Sequence, residues 1–302
     1  MNSARSLVVR LVRFRLRTLL IAISFIAIWI SLLTFRAEQL KKAIQVIENS
    51  GGVVSDYDPF TNSPQRTLES AGLNWSRAFI GEYYFRSPSV VRFIGSPADY
   101  SSSLSSHQPA PISQETIQAI SKLTNLTTLI FDTRPIQLID LDNLRGLPKL
   151  DTLQLAIMPD SPAQHASHLR QLAEFSELHT LTISDLPDVS GQLSFLSDLP
   201  KLKHLSIEAA GLASEDLVTI GTLSQLKTLS LGRVAIDGNT VAKLISLNTL
   251  YLRGDIEFDN TLHQALVSLR DLRILGLPKS SVSAVQIEAL QRDLPGCQMT
   301  TY

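Results

Sequence analysis

Cysteine is almost absent from this sequence, since Cys297 is the only one among 302 residues. An intrachain disulfide framework and a zinc site built from several cysteines are therefore excluded. Charged residues are scarce as well, at 18%, and the formal net charge is −1. So small a net charge gives no attraction of the whole molecule to nucleic acid, which we exclude as a partner. Folding must depend on the packing of hydrophobic residues, which make up 44% of the chain.

Motifs that carry catalytic chemistry are also absent. The chain has no Walker sequence, no G-x-S-x-G and no H-E-x-x-H. Asp56, Asp58 and Asn62 are spaced like calcium ligands, but a threonine stands where the calcium loop needs its turn glycine. His165 and His168 could share a helix face, yet no third metal ligand is adjacent. We therefore predict a protein that is not an enzyme and that holds no cofactor and no metal.

A long uncharged stretch follows a basic amino terminus. Residues 1–17 contain five arginines and no acid, and residues 18–35, TLLIAISFIAIWISLLTF, contain no charged side chain. As a helix these 18 residues span about 27 Å, close to the thickness of the hydrocarbon core of a bilayer. A cleaved signal peptide and a buried core helix are the other interpretations. A signal peptide calls for small residues at its end, where Leu32, Leu33 and Phe35 stand here.

We therefore predict an uncleaved membrane anchor at residues 18–35. The five arginines before it outweigh Arg36, Lys41 and Lys42 after it, and Glu38 partly offsets these three. By the positive-inside rule, the amino terminus is expected in the cytoplasm and everything after Arg36 outside it. The predicted location is a cell membrane, crossed once.

Seven nine-residue segments of the remaining chain share one pattern of leucines. LPKLKHLSI and LSQLKTLSL are two of them, and the seven begin at Leu123, Leu147, Phe175, Leu199, Leu223, Leu244 and Leu269. Their starts are 21 to 28 residues apart, which is typical of leucine-rich repeats. An eighth and weaker copy, LPGCQM, begins at Leu294 and has Cys297 in a leucine position.

The spacing within a repeat predicts a strand followed by a helix. The last two leucine positions of the pattern are two residues apart, so they lie on one face of a short strand. Further on, Leu217, Ile220 and Leu223 recur at helical spacing behind Ser214, which we predict as the N-cap. One such turn cannot bury its own leucines, so neighbouring turns must stack around a shared core.

The sequence resembles the leucine-rich repeat family, and more narrowly the small membrane-anchored repeat proteins of planctomycete-type bacteria. The narrower resemblance depends on the repeats together with RFRLRTLLIAISFIAIW, AIQVIENSGGVVSDYD, WSRAFIGEYYFRSPSVVRF and ALQRDLPGCQM. It implies an α/β solenoid with parallel strands on its concave face and short helices or turns on its convex face. One transmembrane helix precedes the solenoid.

We divide the chain accordingly into a basic cytoplasmic tail (1–17), a transmembrane helix (18–35), a membrane-proximal segment with an amino-terminal cap (36–110), and the repeat domain with a carboxyl-terminal cap (111–302). In the third part, residues 37–49 are predicted as a helix with Leu40, Ile44 and Ile47 on one face. This segment is expected to cover the core edge of the first repeat.

The residues between the strand leucines form three outward-facing rows across the predicted sheet. Most are small threonines and serines, whereas larger polar or aromatic groups stand in two repeats. Such groups tend to provide most of the energy of an interface. The candidate partner-binding residues are Tyr251, Arg253, His204, Glu208, Ser206 and Asp132.

These observations favour a membrane-tethered module that binds a protein or a peptide through its concave face, outside the cytoplasm. Two other functions remain open. One is a structural protein of the cell envelope that associates with itself, and the other, ranked below it, is an enzyme with an unrecognised site.

Overall fold

The computed structural model describes residues 3–56, 87–93, 111–132, 136–137, 140–157, 168–186, 190–209, 211–233, 236, 238–254 and 256–302, with backbone alone before residue 18. Repeated strand-and-helix turns make up most of this part of the chain. Together they form a leucine-rich repeat solenoid.

One long helix, α1 (Ser3–Asn49), opens the structure. It runs without a break from the basic tail through the uncharged stretch and into the predicted cap helix. Within the described residues, its section Thr18–Asn49 is the one helix long and apolar enough to cross a membrane, with a mean hydropathy of 2.4. Its most apolar part is exposed, whereas Ala43, Ile44 and Ile47 are buried in the core.

A ten-stranded sheet runs the length of the solenoid in strict chain order. The first strand pairs antiparallel with the second, and every later pair is parallel. The strands are β1 (Val53–Ser55), β2 (Val90–Phe93), β3 (Thr128–Phe131), β4 (Thr152–Ala156), β5 (Thr180–Leu186), β6 (His204–Ala209), β7 (Thr228–Gly232), β8 (Thr249–Arg253), β9 (Ile274–Leu277) and β10 (Gln298–Thr301).

Short helices connect successive strands on the other side of the core. In the part of the chain that the structure describes, six are α-helices: α2 (Gln114–Ile120), α3 (Leu141–Leu144), α4 (Ser214–Gly221), α5 (Gly238–Val241), α6 (Asn260–Ser268) and α7 (Ala284–Asp293). Two more turns, Arg170–Glu174 and Leu193–Asp198, are 3-10 helices. This alternation confirms the α/β solenoid predicted from the sequence.

The strand register confirms the alignment of the repeats. Leu205 of β6 lies beside Leu181 of β5 and Leu229 of β7, and Leu229 lies beside Leu250 of β8. All four leucines are at most 1% exposed. Each leucine therefore packs against its counterparts in the two neighbouring repeats, which is why the repeats need one another.

The N-cap predicted for helix α4 is wrong. The capping residue is Ala213, and the helix begins at Ser214. Alanine has no side-chain acceptor for the N–H groups of the first helical turn. The carboxylate of Asp216, the third residue of the helix, accepts a hydrogen bond from the backbone N–H of Ala213 at 2.9 Å. The same carboxylate accepts from the N–H groups of Gly191 at 2.8 Å and Leu193 at 3.1 Å. Asp216 thus joins two consecutive repeats.

Candidate binding surface

One face of the sheet points away from the helices, and we call it the open sheet face. Its outward residues stand side by side from strand to strand, as the predicted rows require. The first row contains Thr152, Thr180, His204, Thr228 and Thr249, and the second contains Gln154, Thr182, Ser206, Ser230 and Tyr251. The repeats therefore bring residues far apart in sequence onto one continuous surface.

Five of the six candidate residues lie close together on this face. His204, Ser206 and Glu208 belong to β6, and Tyr251 and Arg253 belong to β8. Only β7 separates the two strands, which places them roughly 10 Å apart. The five candidates therefore form one cluster.

Asp132 lies apart from this cluster. It follows β3, three strands before β6, which is a separation of roughly 14 Å. Its carboxylate accepts a hydrogen bond of 3.2 Å from the side-chain amide of Gln154. The geometry does not bring Asp132 together with the other candidates.

Tyr251 lies across a glycine of the next strand. A Cβ atom at Gly276 would come within 2.3 Å of Cδ1 of Tyr251 and 3.1 Å of Cε1 of Tyr302. The absence of a side chain at Gly276 therefore makes room for two tyrosine rings at the carboxyl-terminal end of the sheet. As a result, Tyr251 is half-buried rather than fully surrounded by solvent.

Tyr302 also holds Arg253 in place. The hydroxyl of Tyr302 donates a hydrogen bond of 2.6 Å to the backbone carbonyl of Leu252, and the side chain of Arg253 hydrogen-bonds to the same tyrosine. Burial raises the pKa of Tyr302 above its ordinary value of 10.0, and nearby Arg253 partly opposes that rise. Tyr251, Arg253 and Tyr302 thus form one group of large side chains.

Glu208 belongs to a chain of ion pairs that ends three neighbouring strands. Nε of Arg233 lies 3.1 Å from Oε1 of Glu208, and NH2 of Arg233 lies 3.1 Å from Oδ1 of Asp185. Arg233 and Asp185 both have a positive φ of 56°, which is uncommon for residues other than glycine. Glu208 is therefore partly neutralised, and the bridging arginine is itself exposed to a partner.

His204 begins the same strand beside charged neighbours. Burial is the main cause that lowers the pKa of His204 below its ordinary value of 6.5, and the charge of Lys203 lowers this pKa further. The charge of Asp151 acts in the opposite direction. Nδ1 of His179, in the preceding repeat, lies 2.7 Å from Oδ1 of Asp151. At neutral pH His204 is accordingly an uncharged hydrogen-bonding group rather than a cation.

Two residues of this surface, Tyr302 and Arg233, were missed by the sequence analysis. Tyr302 could have been predicted from the weak eighth repeat, because β10 pairs with β9 in parallel, like the strands of the other repeats. Extending that copy to the end of the chain places Tyr302 in the row of Arg253. No sequence pattern indicated Arg233. It follows β7 in a left-handed backbone conformation, which the repeat spacing does not predict.

The metal candidates gain no support from the structure. Asp58, Asn62 and His165 lie outside the described residues, and His168 hydrogen-bonds to Gln171 at 3.3 Å. Within the described ranges, no group of three or more His, Cys, Asp or Glu residues is placed to hold a metal ion.

Comparisons with known proteins yield distant structural likenesses. No protein-family model and no curated protein matches the chain. An internalin C2 from Listeria monocytogenes is 24% identical over 62% of this chain and 75% of its own, with a TM-score of 0.43. An internalin F from the same organism is 19% identical over 62% of this chain and 65% of its own, with a TM-score of 0.37.

A third solved structure is the plant peptide hormone receptor RGFR1 in complex with RGF2. It is 16% identical over 63% of this chain and 30% of its own, with a TM-score of 0.36. The assignment of the leucine-rich repeat fold depends on the repeats and the strand register of the chain itself. The narrower resemblance to planctomycete-type proteins stays a prediction.

Proposed function

We propose that this protein is a single-pass, membrane-anchored binding module whose open sheet face engages a protein or a peptide outside the cytoplasm. In this proposal residues 1–17 are cytoplasmic, 18–35 cross the membrane, 36–110 form the exported cap, and 111–302 form the repeat domain. The observation that carries it is the group of Tyr251, Arg253 and Tyr302 on an otherwise small-residue surface.

The continuity of α1 supports an anchor rather than a removable leader. The most apolar window of this helix is exposed, yet the same helix places Ala43, Ile44 and Ile47 in the core. A soluble protein gains nothing from about 27 Å of exposed apolar helix, because hydrophobic surface in water is unfavourable. A bilayer covers this surface and leaves the repeat domain in water.

The composition of the open sheet face supports binding rather than catalysis. Tyrosine and arginine contribute disproportionately to the free energy of protein interfaces. Here Gly276 leaves room for the two tyrosine rings, and Arg253 lies beside Tyr302, so the three side chains offer one joint contact surface to a partner. The neighbouring Asp185, Glu208 and Arg233 provide charges at the rim.

Removing the two candidate side chains on β8 should weaken the capture of a partner. We expect Tyr251→Ala with Arg253→Ala to weaken binding by about 2 kcal/mol, or about 30-fold in affinity, because interface energy concentrates in such residues. The measurement is capture of partners by the full-length chain from solubilised membranes, followed by an affinity measurement with the species identified.

The matched control is Thr180→Ala with Thr182→Ala, which truncates two outward residues of β5 on the same face. That variant should bind like wild type, and both variants should retain the wild-type thermal transition. Equal affinity of wild type and the β8 double variant would exclude this surface as the binding site. Capture of nothing but further copies of the chain would favour the self-associating envelope protein instead.

A further inference from the structure

Helix α1 packs against helix α2 and strand β1, and it runs in the same direction as strand β2. At its near end, residues 37–40 line a groove together with Ser87 and Pro88, which precede β2. At its far end, Ile47 approaches Phe93, the last residue of β2, since a Cβ at Gly52 would meet both side chains within 2.8 Å. The helix rises about 12 Å between these two ends and the strand about 16 Å. The helix and the strand therefore run in roughly the same direction.

This alignment fixes how the solenoid lies relative to a bilayer. The solenoid axis runs across the strands, so it is roughly perpendicular to α1. Transmembrane helices cross bilayers with an average tilt of about 20° from the normal. A chain anchored by α1 therefore has its solenoid axis close to the membrane plane, with one edge of the sheet facing the lipid.

The edge that faces the lipid is the one at which the strands begin. We call it the strand-start edge, and it consists of the segments between each helix and the next strand: residues 121–127, 145–151, 175–179, 199–203, 222–227, 242–248, 269–273 and 294–297. Residues 122–125 of its first segment line the same groove as residues 33–40 of α1. They lie within about 6 Å of Arg36 along the helix axis, at the depth of the headgroups.

The two edges of the solenoid carry opposite charge. By sequence, the strand-start edge has nine basic and three acidic residues, a formal charge of +6 with histidine neutral. The described residues of the strand-end edge are 132, 136–137, 140, 157, 168–169, 190–192, 211–213, 233, 236, 254, 256–259 and 278–283, and they include two basic and four acidic residues, a charge of −2. The described part of the solenoid is thus polarised across its width, with the basic charge concentrated at the strand-start edge.

The basic side chains are available to an external anion. All nine are exposed. Arg145 pairs with Asp142 and Glu174, and Lys201 pairs with Glu177. For the other seven, the described part of the chain shows no carboxylate within 4.0 Å. Such side chains are attracted to anionic headgroups within a Debye length of about 10 Å.

We propose that the strand-start edge binds the anionic phosphate headgroups of the bilayer that holds α1, so that the solenoid lies flat on the membrane. This inference rests on the proposed membrane anchor. Its consequence is that the open sheet face stands upright on the membrane and is approached from the side, with its acidic edge turned away from the lipid.

Two labels at the carboxyl-terminal end of the solenoid test this orientation. In a Cys297→Ser background, Gly296→Cys places a fluorophore on the strand-start edge, where a Cβ has open space around it. Ser280→Cys places it on the strand-end edge of the same repeat. The full chain is reconstituted in nanodiscs of phosphatidylcholine with phosphatidylglycerol and a quencher attached to lipid headgroups. We expect several-fold stronger quenching at position 296 than at 280.

Charge supplies the second measurement. Quenching at 296 should fall in nanodiscs of phosphatidylcholine alone. It should fall equally after Lys203→Glu, Lys227→Glu and Lys243→Glu, which reverse three exposed charges of the strand-start edge away from the label. Lys279→Glu on the other edge is the control and should leave quenching unchanged. Circular dichroism verifies that the variants remain folded.

The outcomes separate this proposal from the anchor on which it rests. Equal or reversed quenching at 296 and 280 in chains that have entered the nanodisc overturns the orientation and leaves the anchor standing. If quenching at position 296 is the same with neutral lipid and after the lysine substitutions, the proposed binding to anionic headgroups is wrong. A chain that stays outside the nanodisc fraction overturns the anchor and this proposal with it.

Discussion

Replacing Leu229 by aspartate should unfold the centre of the repeat array. Leu229 is 0% exposed and lies between Leu205 and Leu250 in the sheet. A carboxylate at this position would be buried without a partner, and such substitutions reach the upper range of single-residue effects, about 4 kcal/mol or more. Since a whole domain is stable by only about 5–15 kcal/mol, little stability should remain.

Hydrogen exchange of the full-length chain in detergent measures this effect where it occurs. In Leu229→Asp, amide exchange along β6, β7 and β8 should accelerate on the order of 1,000-fold, which corresponds to about 4 kcal/mol. The matched control is Thr228→Asp, because the adjacent side chain belongs to the open sheet face and tolerates charge. Protection of Leu229→Asp at the wild-type level would show that the register of β7 is wrong.

Loss of the Asp216 carboxylate should be the next most damaging change. Asp216 is 2% exposed and accepts hydrogen bonds from Gly191, Leu193 and Ala213. Asp216→Ala leaves all three N–H groups without that acceptor, and each unsatisfied buried donor costs about 1–3 kcal/mol. With two of the three donors only partly buried, we expect a loss of about 3 kcal/mol in the free energy of unfolding.

Chemical denaturation of the full-length variants checks this value. Asp216→Asn is the matched comparison, because its amide oxygen keeps one acceptor while its NH2 group faces donors, and it should fall between alanine and wild type. If Asp216→Ala unfolded within about 0.5 kcal/mol of wild type, a range usual for surface substitutions, the carboxylate would not join the two repeats as described.

The repeat core could be predicted from the sequence because leucine spacing is a local property repeated many times. The leucine positions of β5, β6, β7 and β8 lie side by side, so the positions of Leu205 and Leu229 follow from the pattern alone. The clustering of Tyr251 and Arg253 with the β6 residues followed for the same reason. Because the pattern repeats, it predicts which residues of different repeats lie side by side.

Contacts that break the repetition could not be predicted in this way. Asp216 accepts hydrogen bonds from the preceding repeat, and Arg233 reaches Glu208 and Asp185 from a left-handed turn. Both depend on backbone geometry in irregular segments, which periodicity does not specify. The prediction of Ser214 as N-cap was wrong for this reason. Residue type indicates which residues can cap a helix, but it does not specify the residue at which the helix begins.

The long apolar segment was found from composition, but its continuity with the helix that enters the core was not. Residues 18–35 and 37–49 each have a recognisable pattern, and nothing in either pattern says whether the helix bends between them. In the structure α1 passes Arg36 without a break, so one helix contains both the apolar stretch and the buried residues Ala43, Ile44 and Ile47. The proposed orientation on the bilayer depends on this continuity.

The most direct test of the account is the side of the membrane on which the repeats lie. A reporter that is active only in the cytoplasm is fused to the carboxyl terminus of the full-length chain in a bacterial host, and to the amino terminus as a control. Five arginines before the uncharged stretch predict a silent carboxyl-terminal fusion and an active amino-terminal one. An active carboxyl-terminal fusion would place the repeat domain in the cytoplasm and contradict the proposed function.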